Sequence, residues 1–157
     1  MMEWMDLVVF MAYGALGIAS LLVWWMIYDL VLTPGFPVRE AIFGRKPNAA
    51  VALDILGGLL ALGILVFSVL SSPGVDGLLV DLELTALTLA GTVVLLGVLR
   101  LGIGAFLRLW FKDSRDAQGD IISINNELFN QHNLATGLFS TGLYFVLTAV
   151  LVGLITI

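Results

Sequence analysis

The chain has no cysteine and only one histidine, His132. The lack of cysteine excludes disulfides, thiolate metal sites and cysteine nucleophiles. His132 has no second histidine with which to build a metal site, and neither a Gly-x-Ser-x-Gly elbow nor a phosphate-binding Gly-Lys motif is present. We therefore expect no catalytic residues, no metal and no cofactor, and we predict that the protein is not an enzyme.

Charged residues are also scarce, at 12% of the 157 residues, whereas 60% are hydrophobic. A soluble domain carries about twice that charged fraction. A chain of this length has too little interior to bury so much apolar surface, so the excess is expected to face lipid or other chains. The net charge of −5 argues against a nucleic-acid partner.

Four apolar stretches are long enough to cross a bilayer, which takes about 20 residues. They are Leu7–Tyr28, Asn48–Leu70, about Leu84–Phe111 and Asn133–Ile157. They predict an all-α integral membrane protein, a single membrane domain over residues 1–157 with four transmembrane helices. A soluble bundle of buried helices is the alternative.

The basic residues predict the orientation. Five of the seven lie in the loops that join the first helix to the second and the third to the fourth, namely Arg39, Arg45, Lys46, Lys112 and Arg115. By the positive-inside rule both loops face the cytoplasm, and the N-terminus and C-terminus lie outside. Tryptophans prefer membrane boundaries, and Trp4 falls near the outer one, with Trp24, Trp25 and Trp110 near the inner one.

The second half of the chain repeats the first. A shift of 85 residues aligns Asn48 with Asn133, Ala50 with Ala135, Leu53 with Leu138, Gly57 with Gly142 and Leu62 with Leu147. Two helices return the chain to its starting side, so the copies are predicted to be tandem and parallel, at about residues 4–72 and 84–157.

Both cytoplasmic loops contain a segment with helical features. Pro37–Phe43 has proline at its start and Gly44 at its end, and Ile121, Ile124 and Leu128 recur at helical spacing. We predict short interfacial helices on the inner membrane surface, with ordinary ordered loops as the alternative.

Two charges, Asp54 and Arg100, lie inside the predicted membrane helices. Such residues usually face a bundle interior, a partner or a water path. At about 1.5 Å per residue, their depths from the cytoplasmic face differ by about 6 Å, within reach of an arginine side chain. We predict an intramembrane ion pair. One alternative is that the pair serves helix packing alone, and another is that each residue extends to the membrane surface by itself. A third is that the two line a transport path. Against a transport path, Asp54 aligns with Phe139 and neither charge is repeated in the other half.

Asn48 and Asn133 begin the second helix of each repeat, and asparagine is a favoured N-cap, so we predict helix capping, with ligand binding as the alternative. Small residues spaced by four predict close helix packing, within the chain or between subunits. The packing candidates are Gly57, Ala61, Gly137, Thr141 and Gly142.

Several of these segments resemble the YjfL-like bacterial inner-membrane proteins, a family of unknown function with duplicated two-helix units. In the first half the resemblance lies in Leu32–Phe36, Arg39–Ile42, Asn48–Ala52 and Gly57–Gly58, and in the second half in Glu127–Phe129, Asn133–Ala135 and Gly142. The resemblance implies the bacterial cytoplasmic membrane and, more loosely, a stress-linked setting. It brings no catalytic residues.

These features predict a non-enzymatic multi-pass inner-membrane protein that acts as an oligomer or as a subunit of a larger envelope complex. Its expected partners are the lipid bilayer and either further copies of the chain or other membrane or peripheral protein subunits. The alternative is a small channel or transporter in which Asp54 and Arg100 line a polar path.

Overall fold

The computed structural model describes residues 4–71, 77–111, 119 and 122–155, and every regular element in them is helical. The elements are α1 (Trp4–Ile27), a π-helical segment (Tyr28–Leu32), α2 (Val38–Phe43), α3 (Ala49–Ser71), α4 (Leu78–Trp110), α5 (Ile124–Phe129) and α6 (Leu134–Ile155). Among these described residues, four helices are long and apolar enough to cross a membrane. The prediction of an all-helical chain with four such helices is therefore confirmed.

The helix α4 begins earlier than expected, at Leu78 rather than near Leu84. Its first turn contains Asp81, which interacts favourably with the free N–H groups at a helix start, and Gly77 precedes it with a φ of 106° that favours glycine. The apolar pattern alone could not locate this start, because the first two turns carry two acidic residues. At 33 residues α4 is about 50 Å long, which exceeds the thickness of a bilayer core of about 30 Å.

The helix α1 does not end at Tyr28 but continues as a π-helical segment to Leu32. Thr33 ends it by leaving the helical backbone conformation, with φ −129° and ψ 48°, and its backbone N–H and hydroxyl both donate to the carbonyl of Tyr28, at 3.0 and 2.7 Å. Pro34 follows, and proline cannot donate the next helical hydrogen bond. The segment buries Tyr28 and Leu32 together.

The helix α3 is the centre of the bundle and contacts α1, α4 and α6. Half of its apolar window (50%) is buried, against 17% for α1 and 22% for α6. Ala50 lies against Gly137 and Gly57 against Thr141, so α3 and α6 run in the same direction. Gly58 of α3 lies against Trp24, near the C-terminal end of α1.

Trp24 is fully buried in this core. Its ring packs edge-on against Tyr28 and Tyr144, with centroids 6.2 and 5.7 Å away. Gly58 leaves room for this indole between α1 and α3, while the depth of Trp24 relative to a membrane boundary stays a prediction. Trp4 and Trp110 are exposed.

The short helix α5 packs into the bundle against α3, α4 and α6. It buries Ile124, Asn126, Leu128 and Phe129, so its apolar face is covered by protein. Phe129 also packs on Phe36 of the first loop, with ring centroids 4.7 Å apart. Lys112, Arg115 and Ile121, which entered the loop predictions, lie outside the described residues.

Candidate functional site

A cluster of polar side chains surrounds Asp54 in the middle of the bundle. Asp54 Oδ2 accepts hydrogen bonds from Tyr28 Oη at 2.6 Å and from Arg100 Nε at 3.1 Å, and Oδ1 accepts from Tyr144 Oη at 3.1 Å. The structure thus brings Asp54 and Arg100 together as an ion pair. We call Tyr28, Asp54, Arg100, Asn125 and Tyr144 the central polar cluster.

Asn125 extends the cluster to α5 and to the end of the π-helical segment. Its side-chain oxygen accepts from Arg100 Nη2 at 2.9 Å, and its amide donates to the carbonyl of Leu32 at 2.8 Å. A π-helical segment leaves carbonyls at its end without a helical partner, so this bond satisfies one of them. One carboxylate therefore connects all four long helices, and Asn125 adds the second loop.

The cluster can form because small residues let the helices approach closely around Asp54. A Cβ atom on Gly57 would lie 2.5 Å from Thr141 Oγ1, and one on Gly58 would meet the ring of Trp24. Thr141 also donates to the carbonyl of Leu53 at 2.8 Å. Gly57 and Gly58 thus bring α6 and α1 against two faces of α3 that are about 100° apart, within reach of the Asp54 carboxylate.

Asp54 is 0% exposed and Arg100 2% exposed. Removing a charge from water carries a penalty of several kcal/mol per ion, which is offset only when the ions are paired and their other polar atoms are satisfied. The Asp54 carboxylate meets this condition with three donors. Within the described part of the chain, the buried side-chain polar atoms without a partner are Trp24 Nε1 and Thr148 Oγ1, and neither belongs to the cluster.

Asn48 and Asn133 both occupy N-cap positions. Asn48 Oδ1 accepts from the backbone N–H groups of Ala50 and Val51, and Asn133 Oδ1 accepts from those of Ala135 and Thr136, at 3.0 to 3.4 Å. Their side-chain amides also donate to α5, Asn48 to the carbonyl of Leu128 and Asn133 to the carboxylate of Glu127, each at 2.7 Å. The two caps therefore hold α5 between the starts of α3 and α6.

Four of the five packing candidates lie inside the bundle. Gly57 and Thr141 touch each other, Gly137 lies against the backbone of Ala50, and Ala61 is fully buried. Gly142 does not join them: it is exposed, and a Cβ there would meet no atom within 4 Å. Gly142 lies on the face of α6 turned away from α3, so its predicted packing role, within the chain or between subunits, finds no contact within one chain and stays a prediction.

The sequence patterns did not indicate Tyr28, Tyr144 and Asn125 as partners of the ion pair. Tyr28, near the end of an apolar stretch, resembles an interfacial residue, whereas Tyr144 lies in the middle of an apolar helix without a charge to mark it. Asn125 lies in a loop segment whose apolar residues dominate the pattern. One signal was present: a buried carboxylate with a single arginine partner still has acceptor capacity to fill. The hydroxyls of two tyrosines on flanking apolar helices are suitable donors for it.

In the parts of the chain that the structure describes, no three His, Asp or Glu side chains cluster so that they could hold a metal ion. His132 is exposed in the turn before Asn133, with a φ of 53°. The arrangement around Asp54 is suited to holding helices together.

Four long apolar helices with a buried charge pair among them indicate a membrane protein. The chain belongs to the family described as Domain of Unknown Function (DUF350), whose model matches residues 1–155. No curated protein and no solved structure matched the chain. A family of unknown function was expected from the YjfL resemblance, whereas the YjfL likeness itself stays a prediction.

Proposed function

We propose that the protein is a non-enzymatic, multi-pass component of the bacterial inner membrane that acts as an oligomer or as a subunit of a larger, stress-linked envelope complex. The central polar cluster carries this proposal. Its two charged residues, Asp54 and Arg100, pair with each other inside the bundle, so they serve to join helices. The protein then acts through the faces that the bundle leaves open.

Conduction through the cluster would require its bonds to break. An ion passing Asp54 would displace the hydroxyls of Tyr28 and Tyr144, and it would separate the carboxylate from Arg100. Removing one partner of a buried ion pair is strongly unfavourable, by about 3 to 5 kcal/mol. This geometry therefore agrees better with a cluster that holds the helices together than with a permanent polar path.

The outer faces of the bundle support assembly with lipid and other subunits. Large apolar side chains are exposed along α1, including Phe10 and Met11, and α6 exposes Val146 and Val150 beside Gly142. Glycine on an outer helix face allows another membrane helix to approach closely. We place the packing role of Gly142 between subunits.

The proposal includes two tandem parallel repeats, with both basic loops in the cytoplasm and both termini outside. The contact between α3 and α6 supports the repeats, since each is the second long helix of its half and they run in the same direction. The positions of α2 and α5 support short helices at the cytoplasmic surface. The buried face of α5 adds that this helix is also part of the bundle.

One observation favours the alternative of a small channel or transporter. Arg100 borders an open cleft of about 500 Å³, so one member of the ion pair has access to a cavity. A path would have to continue from this cleft past Asp54 between the two tyrosines.

Reconstitution separates the two functions. We expect liposomes containing the protein to show no ion or small-solute flux, and the protein in mild detergent to run at a multiple of its 16.9 kDa mass or with other subunits. Gly142→Leu should shift homo-oligomers toward the monomer, while Gly91→Leu, at another open glycine, should not. Flux abolished by Asp54→Asn would overturn the proposal, as would a monomer with no partner.

A further inference from the structure

An open cleft of about 500 Å³ lies between α4, the end of the π-helical segment and the start of α5. It exists because the two neighbouring helices differ in length. Asn125 bonds to both Leu32 and Arg100, so the π-helical segment ends at the level of Arg100. The helix α4, in contrast, continues for ten residues beyond Arg100, to Trp110. The last turns of α4 therefore extend past their neighbour and form one wall of the cleft.

The wall on α4 is a stripe of residue pairs spaced by four, so all of them share one helix face. The pairs are Arg100 with Leu101, Gly104 with Ala105 and Arg108 with Leu109. The small side chains of the middle pair, Gly104 and Ala105, leave the space that forms the hollow. Ile124 forms its floor, because Ile124 Cγ2 lies 3.4 Å from the position that a Cβ atom on Gly104 would take. The hollow thus has an arginine at each end.

The cleft carries positive charge and hydrogen-bond donors. None of its described lining residues is acidic, and the two arginines are eight residues apart, about 12 Å along the helix. Asp54 neutralises Arg100, whereas Arg108 is exposed at the mouth. Ser123 Oγ accepts from the N–H of Asn126, so its hydroxyl hydrogen is free to point into the cleft. Guanidinium and hydroxyl groups together are suited to a phosphate.

The rest of the lining is apolar and open to the surroundings of the bundle. Val31 is 53% exposed, Leu101 52% and Leu109 76%. A free inorganic anion would gain nothing from these side chains, whereas the acyl chains of a lipid would cover them. Basic pockets between transmembrane helices near a membrane surface are a known setting for anionic headgroups.

We propose that this cleft binds one anionic phospholipid. The phosphate lies between Arg108 and Ser123 at the mouth, with Arg100 at the inner end, and the acyl chains follow Val31, Leu101 and Leu109. The proposal needs neither an oligomer nor a particular orientation, since it depends only on one chain and its cleft. It therefore stands or fails separately from the function proposed above.

Native mass spectrometry of the full chain in mild detergent tests the site. With phosphatidylglycerol added, we expect one lipid retained per chain, and weaker retention of a phosphatidylcholine with the same acyl chains. Arg108→Gln should weaken phosphatidylglycerol binding about fivefold, the equivalent of about 1 kcal/mol for one basic residue near a membrane surface. Arg45→Gln removes the same charge from an exposed loop residue outside the cleft and should leave binding unchanged.

A second pair of variants tests the shape of the cleft without changing its charge. Ala105→Phe fills the hollow and should abolish the bound lipid, while Ala90→Phe, at another exposed alanine on α4, should not. Equal retention of the two lipids, or equal losses within either matched pair of variants, would overturn the proposal. Full competition by glycerol 3-phosphate would assign the cleft to free anions, which would also overturn it.

Discussion

Replacing Tyr28 by phenylalanine tests whether the central polar cluster holds the bundle together. The change removes one hydroxyl, whose oxygen lies 2.6 Å from Asp54 Oδ2, and keeps the ring that packs on Trp24. That distance is typical of a hydrogen bond to a charged acceptor. Asp54 would remain buried and paired with Arg100, but with two donors in place of three.

The structure sets the expected size of the effect. A hydrogen bond to a charged group contributes about 1.5 to 3 kcal/mol in soluble proteins, whereas bonds between membrane helices average about 0.6 and reach about 1.7 kcal/mol. For a short bond to a buried carboxylate we expect the overlap of the two ranges, about 1.5 kcal/mol. Tyr144, at 3.1 Å, should contribute about half as much when changed to phenylalanine.

The assay is reversible unfolding in mixed micelles with increasing denaturing detergent, followed by tryptophan fluorescence, because the buried Trp24 lies beside the cluster. Tyr13→Phe is the matched control, about four turns earlier on α1. It should leave the unfolding midpoint unchanged. The reasoning is refuted if Tyr28→Phe behaves like Tyr13→Phe, or if Tyr144→Phe destabilises the protein more than Tyr28→Phe.

Two further predictions concern the ion pair and the orientation. Asp54→Ala and Arg100→Ala should each destabilise the bundle by about 3 to 5 kcal/mol, and the double change should cost clearly less than their sum in the same unfolding assay. Strict additivity would contradict the pair. Because the chain has no native cysteine, a membrane-impermeant maleimide applied to whole cells should label Glu83→Cys but label Arg45→Cys only after permeabilisation, and the opposite pattern would reverse the orientation.

The sequence indicates some parts of this structure well. Charges are so rare in the apolar stretches that Asp54 and Arg100 could be paired by depth alone. The asparagines before α3 and α6 were likewise interpretable as caps, because capping depends on residues two or three positions away. These features depend on local chemistry or on scarcity, both of which a single sequence displays.

Features that depend on tertiary contacts could not be predicted in this way. The π-helical turn that buries Tyr28 has no local sequence signature here. The same holds for the space beside Gly58 in which the ring of Trp24 packs. Asn125 is a similar case, because its two partners are 25 and 93 residues away in the chain. Each depends on how distant helices approach one another.

The length of α4 has a consequence for how the protein sits in a bilayer. Even at a steep tilt of about 40°, a hydrocarbon core of about 30 Å is spanned by about 26 residues. Of the 33 residues of α4, about seven must then extend into the headgroup layers. In a thicker membrane more of the helix would be drawn inward, carrying Arg108 toward the hydrocarbon. In a thinner membrane still more of α4 would leave the hydrocarbon, so hydrophobic mismatch on thinning would act on this 33-residue helix before the shorter α3 and α6.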